Sequence, residues 1–301
     1  MRLSLAALGL TVCASCGELT NQDLFFAEIV PDSAELTASL PASDTQSTRS
    51  IGRESEAFLL SLQTSRDSSQ LIEDTLGAVE TLPRIVAPSI RETNARVWGP
   101  FFDEHSNGYF FLEVTQLSEN SFDFCVRFSS DEIPAAALGC RTIPTQPELQ
   151  LAVAGNVIYQ PDGTREGTIL LQLEDLLELQ FNLSEDRRRV SGQLLNEAAI
   201  EYEYEESIQD GAVTFALDLE DDFDRSSAAL EQLEIRTSWL PTGGTGTTTV
   251  SGGDLGQSTL SVTECWSPSG IVSYESIAIT DMPPSIQGDI TTCPTLSIAS
   301  R

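Results

Sequence analysis

The sequence contains no lysine. Its 16 basic residues are all arginines, they face 46 acidic residues, and the formal net charge is −30. A Walker-type phosphate loop, a pyridoxal enzyme and a Schiff-base enzyme each need a lysine, so these classes are excluded. Nucleic-acid binding draws its affinity from basic residues that contact phosphates. We therefore expect no nucleic-acid partner.

Histidine is nearly absent too, since His105 is the only one. A metal site built from several imidazoles is therefore excluded. No Gly-x-Ser-x-Gly motif accompanies His105, so we interpret it as an exposed turn residue and not as the base of a serine triad. The sequence predicts no catalytic residue, no metal site and no cofactor. The many carboxylates leave an Asp/Glu-dependent hydrolase open as an alternative.

The N-terminus has the layout of an export signal. Arg2 precedes a mostly apolar run that ends in small residues, and residues 1–15 are too short to span a bilayer. Ala14-Ser15-Cys16 resembles the lipobox of bacterial lipoproteins. The resemblance implies cleavage between Ser15 and Cys16 and a lipid on Cys16 that makes the membrane a partner. The alternatives are a plain secretory signal, or lipidation of Cys13, where bulky Val12 would precede the cleavage site.

Such a protein would lie in the bacterial cell envelope. Gly17 follows the cysteine, and the absence of Asp there favours the outer membrane, with the periplasmic or surface face left open. An exported chain meets an oxidising compartment, and four cysteines remain beyond Cys16. Four cysteines can pair in three ways, and we favour the way in which each cysteine bonds to its neighbour along the chain. The predicted disulfides are Cys125–Cys140 and Cys265–Cys293.

The mature chain is predicted to have a tether over 16–52 and a single body over 53–301. The tether includes a possible first strand at 34–40 and a loop at 41–50. Helices are expected within 53–92, where Asp67 and Gln70 form a capping-box pattern and Pro83 ends or kinks the helix. One further helical turn is expected at 174–180.

From residue 95 onward the apolar residues alternate with period two, and turn-forming residues separate the segments. The predicted strands are 96–102, 108–117, 120–129, 149–159, 166–173, 190–206, 211–219, 232–239, 245–251, 258–266 and 270–279. The fold class is α+β, mainly β, with N-terminal helices packed on a long curled antiparallel sheet. In architecture this resembles the half-barrel lipoprotein carriers of the periplasm.

Three charged segments invite a functional interpretation. The glutamates of 201–205 share one strand face and the tyrosines share the other, which favours a solvated sheet face. The arginines of 187–189 are expected to pair with neighbouring carboxylates. The acidic segment 218–224 lacks the glycine of an EF-hand loop, which favours a plain turn and leaves another kind of calcium loop open.

These observations favour a membrane-anchored lipoprotein whose body is non-catalytic and serves binding or scaffolding. A protein or a small hydrophobic ligand would be the partner, and its identity is left open. The alternatives are a half-barrel carrier of a hydrophobic ligand and the Asp/Glu-dependent hydrolase.

Overall fold

The computed structural model describes residues 18–40, 54–103, 107–132, 136–140, 149–172, 176–194, 200–221 and 229–294. The chain divides into two compact units. The first unit comprises Met1–Thr37 and Ser69–Ser184, and the second comprises Ala38–Ser68 and Glu185–Arg301.

The α-helices in the described residues are α1 (Asn21–Ala27), α2 (Ser33–Leu36) and α3 (Glu56–Ile85), and two short 3-10 helices lie at Gly253–Leu255 and Ile290–Thr292. Helix α1 begins with a capping box, in which the Thr20 hydroxyl accepts the Asp23 amide and the Asp23 carboxylate accepts the Thr20 amide. Within the described part of the chain, no helix is long and apolar enough to cross a membrane.

The strand expected at 34–40 is wrong, because α2 occupies its first half. Asp32 and Glu35 form a second capping box at its start, and the Thr37 amide closes the turn on the Ser33 carbonyl. Reciprocal capping satisfies donors that a strand would have to pair elsewhere, and it outweighs the period-two pattern.

The helix start expected at Asp67 is also wrong, since α3 is continuous from Glu56 to Ile85. Ser55 precedes this helix, and its hydroxyl accepts the Phe58 amide. The Ser68 hydroxyl, inside the helix, donates to the Ser65 carbonyl. Pro83 lies within the last turn, and the helix ends two residues later.

Fifteen strands are present among the described residues. They are β1 (Ile90–Arg91), β2 (Ala95–Asp103), β3 (Gly108–Ser118), β4 (Ser121–Ser129), β5 (Leu149–Tyr159), β6 (Arg165–Gln172), β7 (Leu176–Leu183), β8 (Arg187–Leu194), β9 (Ile200–Ser207), β10 (Val213–Asp221), β11 (Glu231–Leu240), β12 (Gly243–Gly252), β13 (Thr259–Trp266), β14 (Val272–Ile279) and β15 (Ser285–Gly288). The chain is thus mainly antiparallel β, as predicted.

Each unit holds a run of consecutive strands in which every strand pairs antiparallel with the next. The run is β1 to β7 in the first unit. It is β8 to β15 in the second unit. The predicted strand 190–206 is instead the pair β8 and β9, because alternation alone does not reveal where a chain reverses.

The helical turn expected at 174–180 is wrong from residue 176 onward, where β7 begins. Its side chains alternate between buried and accessible positions, and Leu177, Leu179, Phe181 and Leu183 are buried. Leucine and glutamate favour helices by intrinsic propensity, but pairing with β6 along the whole segment decides for a strand.

Aromatic side chains fill the core of each unit. Trp98, Phe122 and Phe124 are fully buried in the first unit. In the second unit the Phe58 ring of α3 lies 6.2 Å from the Trp239 ring and 5.9 Å from the Trp266 ring, measured between centroids. The first turns of α3 therefore contact β11 and β13.

Candidate functional site

Both predicted disulfides are confirmed. Cys125 and Cys140 have Cα atoms 5.5 Å apart, and Cys265 and Cys293 have Cα atoms 5.2 Å apart. The first bond ties the segment after β4 back to that strand, and the second ties the end of the described chain to β13. Ser15, Cys16 and His105 lie outside the described residues, so their predicted roles stay predictions.

A buried ion pair supports the first disulfide. Glu113 and Arg127 are both buried, and the Arg127 Nη1 atom lies 3.0 Å from the Glu113 Oε2 atom. The Glu113 carboxylate also accepts the amides of Leu138 and Gly139. The pair thus holds the segment that leads into Cys140.

A carboxylate oxygen of Glu113 and the sulfurs of Cys125 and Cys140 lie within 4.8 Å of one another, a spacing at which three groups can bind a metal ion. The two sulfurs are bonded to each other, however, and a metal ligand must be a thiolate. The carboxylate is engaged with Arg127 and with two amides. The cluster therefore has a structural role.

Among the described residues of the first unit, the most buried charged group is Asp23, on α1. Its carboxylate accepts hydrogen bonds from Arg91 Nε at 3.1 Å and from Arg96 Nε at 2.8 Å. Burial alone raises the pKa of Asp23, but the hydrogen bonds from Arg91, Thr20 and Arg96 outweigh it, so the pKa lies well below its usual range. These contacts join α1 to β1 and β2, and we call Asp23, Arg91 and Arg96 the α1 clamp.

A polar recess of about 560 Å³ lies in the first unit. Its lining consists of Gln160, Pro161, Asp162, Thr164, Glu166, Asn182 and Ser184. The Thr164 amide donates to Asp162 and lowers the pKa of its carboxyl. Glu166 accepts from the side-chain amides of Gln160 and Asn182. A general acid needs a raised pKa, so Asp162 does not suit that role.

In the second unit, the arginines of 187–189 all pair with carboxylates on β9, as expected. Arg188 Nη2 lies 2.7 Å from Glu206 Oε2, and Arg187 and Arg189 pair with Glu205 and Glu203. Tyr202 and Tyr204, on the face opposite Glu203 and Glu205, are buried, which confirms the predicted alternation. Glu206 lies on the tyrosine face, where the Arg188 guanidinium also donates to the Tyr204 hydroxyl. Burial raises the pKa of Tyr202 to about 12.

The acidic segment 218–224 is described only to residue 221. Asp218 pairs with Arg236 on the neighbouring strand β11, where the Arg236 Nη1 atom lies 2.7 Å from the Asp218 Oδ1 atom. Both side chains are about half exposed, so the pair adds little to stability. The calcium alternative for this segment stays an untested prediction.

The outer face of β12 and β13, for which the sequence predicted no role, is lined with hydroxyl groups. Strand register places Thr247 opposite Thr263 and Thr249 opposite Ser261, and the Thr247 and Thr263 hydroxyls lie 3.3 Å apart. We call this surface the hydroxyl face; its members are half-exposed and comprise Thr245, Thr247, Thr249, Ser251, Thr259, Ser261 and Thr263. The repeated threonines of 245–249 are its sequence signal.

The opposite face of these strands carries a buried acid. Glu264 accepts hydrogen bonds from the Ser55 hydroxyl at 2.7 Å and from the Ala57 amide at 3.2 Å. A carboxylate at a helix N-terminus satisfies amides that have no partner within the helix and interacts favourably with the helix dipole. Glu264 therefore positions the start of α3 in the second unit.

Comparison of the chain with protein-family models, with curated proteins and with solved structures gives no match.

Proposed function

We propose that the protein is an exported bacterial lipoprotein, anchored in the membrane through Cys16, whose body is non-catalytic and serves binding or scaffolding. The observation that carries the proposal is the pair of disulfides, because disulfides form and persist in oxidising compartments. Export agrees with the signal-like residues 1–15, and the lipobox-like Ala14-Ser15-Cys16 supplies the anchor. The outer membrane is the location we favour.

Cell fractionation tests the anchor. Cys16→Ser should move the protein from the membrane fraction to the soluble fraction and abolish labelling by radioactive palmitate. Cys13→Ser is the matched control, since it removes the neighbouring cysteine and should leave both properties unchanged. Continued membrane attachment of Cys16→Ser, or loss of palmitate labelling in Cys13→Ser alone, would contradict lipidation at Cys16.

The surface that we propose for binding is the hydroxyl face. Strands lie about 4.8 Å apart and equivalent side chains about 6.8 Å apart along a strand, so the hydroxyls form a regular array of donors and acceptors. Exposed Gln232, Glu234 and Arg236 continue this face onto β11. Such a surface suits a polar partner, and the bound component is to be found by mass spectrometry of what co-purifies with the protein.

A double variant tests this surface. Thr247→Glu with Thr263→Glu places two like charges at the centre of the hydroxyl face, and it should remove a component that co-purifies with the unchanged protein. Gln257→Glu is the control, because Gln257 is an exposed turn residue beside the face. An unchanged set of co-purifying components in the double variant would contradict binding at this surface.

The packing of the helices on the concave face of a curled, half-barrel sheet is also a proposal. Within the second unit it is supported by the Phe58 contacts with Trp239 and Trp266 and by the hydrogen bond between the Ser61 and Thr237 hydroxyls. Within the first unit it is supported by the Trp98 indole, which donates to the Val86 carbonyl just beyond α3. Small-angle scattering of the mature protein would test the curvature.

A further inference from the structure

Helix α1 has one side buried in the first unit and one side exposed. Asp23 and Phe26 are buried, and the Arg96 guanidinium lies 4.8 Å from the centre of the Phe26 ring. Leu24 and Phe25 are 37% and 46% exposed. Because the α1 clamp holds the buried side, the exposed side has a fixed orientation on its unit.

Two more exposed apolar residues lie at the same end of the sheet. The Phe25 ring is 5.6 Å from the Phe122 ring, at the start of β4. Leu117 lies near the end of β3. Ile158 pairs with Ser121, so it lies at the same strand ends but on the sheet face opposite Phe122. Leu117 and Ile158 are both more than one third exposed. We call Leu24, Phe25, Leu117 and Ile158 the apolar rim.

The chain before α1 is also held on the first unit. The Arg91 Nη2 atom donates to the Glu18 carbonyl at 3.1 Å, so the described chain is fixed to β1 from its first residue. Cys16 lies two residues earlier, and two residues span at most about 7 Å. A lipid on Cys16 would therefore be attached close to a fixed point on the first unit.

We propose that the apolar rim lies in the membrane interface, so that lipid and rim together hold the first unit on the bilayer in one orientation. The inference rests on the proposed lipidation of Cys16. The occupant of the rim is a phospholipid bilayer. The net charge of −30 gives no attraction to anionic lipid, so the contact is apolar and should form on zwitterionic phosphatidylcholine at any salt concentration.

Phe102 offers a matched control for Phe25. It is an aromatic residue of the same unit with 48% exposure, close to the 46% of Phe25. Register places Phe102 opposite Tyr109, and Tyr109 opposite Ser129. Ser129 is seven residues along β4 from Phe122, or about 23 Å. Phe102 therefore lies at the far end of these strands.

The experiment attaches the mature chain to phosphatidylcholine vesicles by joining the Cys16 thiol to a maleimide-bearing lipid. An environment-sensitive fluorescent amino acid replaces Phe25 in one sample and Phe102 in the other, and circular dichroism verifies the fold of each. An apolar surface in the interface lies about 5–10 Å deep, so the dye at 25 should shift to the blue and brighten at least about two-fold more than the dye at 102. A quencher attached near the lipid headgroup should reduce the fluorescence of the dye at position 25 more than a quencher attached deep in the acyl chain.

Three results would overturn the proposal: no change at position 25, equal changes at both positions, or a change at 25 that depends on protein concentration without vesicles. The last result would assign the rim to a second copy of the chain. The chemical anchor is present whether or not cells lipidate Cys16. A failure of docking is therefore distinguishable from a failure of the proposed function, which the palmitate labelling of Cys16 tests separately.

Discussion

Replacing Asp23 by Asn should destabilise the first unit by about 3–5 kcal/mol, because removing one partner of a buried ion pair leaves the other charge uncompensated. The Asp23 side chain is fully buried and the Arg96 side chain is 4% exposed. Asparagine has nearly the same shape and retains an acceptor for the Thr20 amide, so the loss reports on the charge and not on the capping box.

Asp32→Asn is the matched control. Asp32 also lies at a helix start and pairs with an arginine, Arg84, but both side chains of that pair are 41% exposed. Exposed pairs contribute about 0–1 kcal/mol, and asparagine caps a helix as well as aspartate does. We therefore expect Asp32→Asn to cost less than about 1 kcal/mol.

The assay is urea unfolding at pH 7, monitored by hydrogen exchange of peptides from β2, so that it reports on the first unit. Equal effects of the two substitutions would refute the argument from burial. The pH dependence gives a second check, because the pKa of Asp23 is lowered in the folded state. Its contribution is present at neutral pH and is lost as the pH falls below about 4, the value of an unfolded aspartate, whereas Asp23→Asn should lack this loss.

Four further predictions concern one disulfide, two glycines and one tyrosine. Changing Cys125 and Cys140 together to Ser opens a loop of 15 residues, which should lower the free energy of unfolding by about 3 kcal/mol in urea without reductant. Reduction of the wild-type protein should lower it at least as much, and a smaller decrease would contradict the prediction. Gly192→Ala places a Cβ atom 2.2 Å from the Tyr202 ring and should cost about 1–3 kcal/mol in the same assay. Gly77→Ala, in α3 with open space around it, should stabilise by about 0.5–1 kcal/mol, and equal signs for the two glycines would refute the steric argument. Because burial raises the pKa of Tyr202 to about 12, its stabilising contribution should be lost as the pH rises from about 10 to 12, and Tyr202→Phe should abolish that loss in alkaline unfolding.

The strands from β2 to β6 and from β10 to β14 were predictable within a few residues, because period-two alternation bounded by turn residues is a local pattern. The disulfides were predictable as local pairs because Cys125 and Cys140 flank a segment with little strand character, which is typical of a loop. Helix α1 had a local signal that was not used, namely Thr20 three residues before Asp23, ahead of the Leu24, Phe25 and Phe26 run.

The sequence by itself determined the predominance of antiparallel strands and the alternation of Tyr202 and Tyr204 with glutamates, and it favoured the local disulfide pairing among the three possible ones. Only the tertiary structure decided that residues 176–183 form a strand, because a neighbour in the sheet supplies the backbone hydrogen bonds that propensity alone does not. The same holds for the α1 clamp. Asp23 meets Arg96 across 73 residues of chain, and Glu264 meets Ser55 across 209. No local pattern marks such contacts, because the free energy of a buried charge depends on partners that folding brings together.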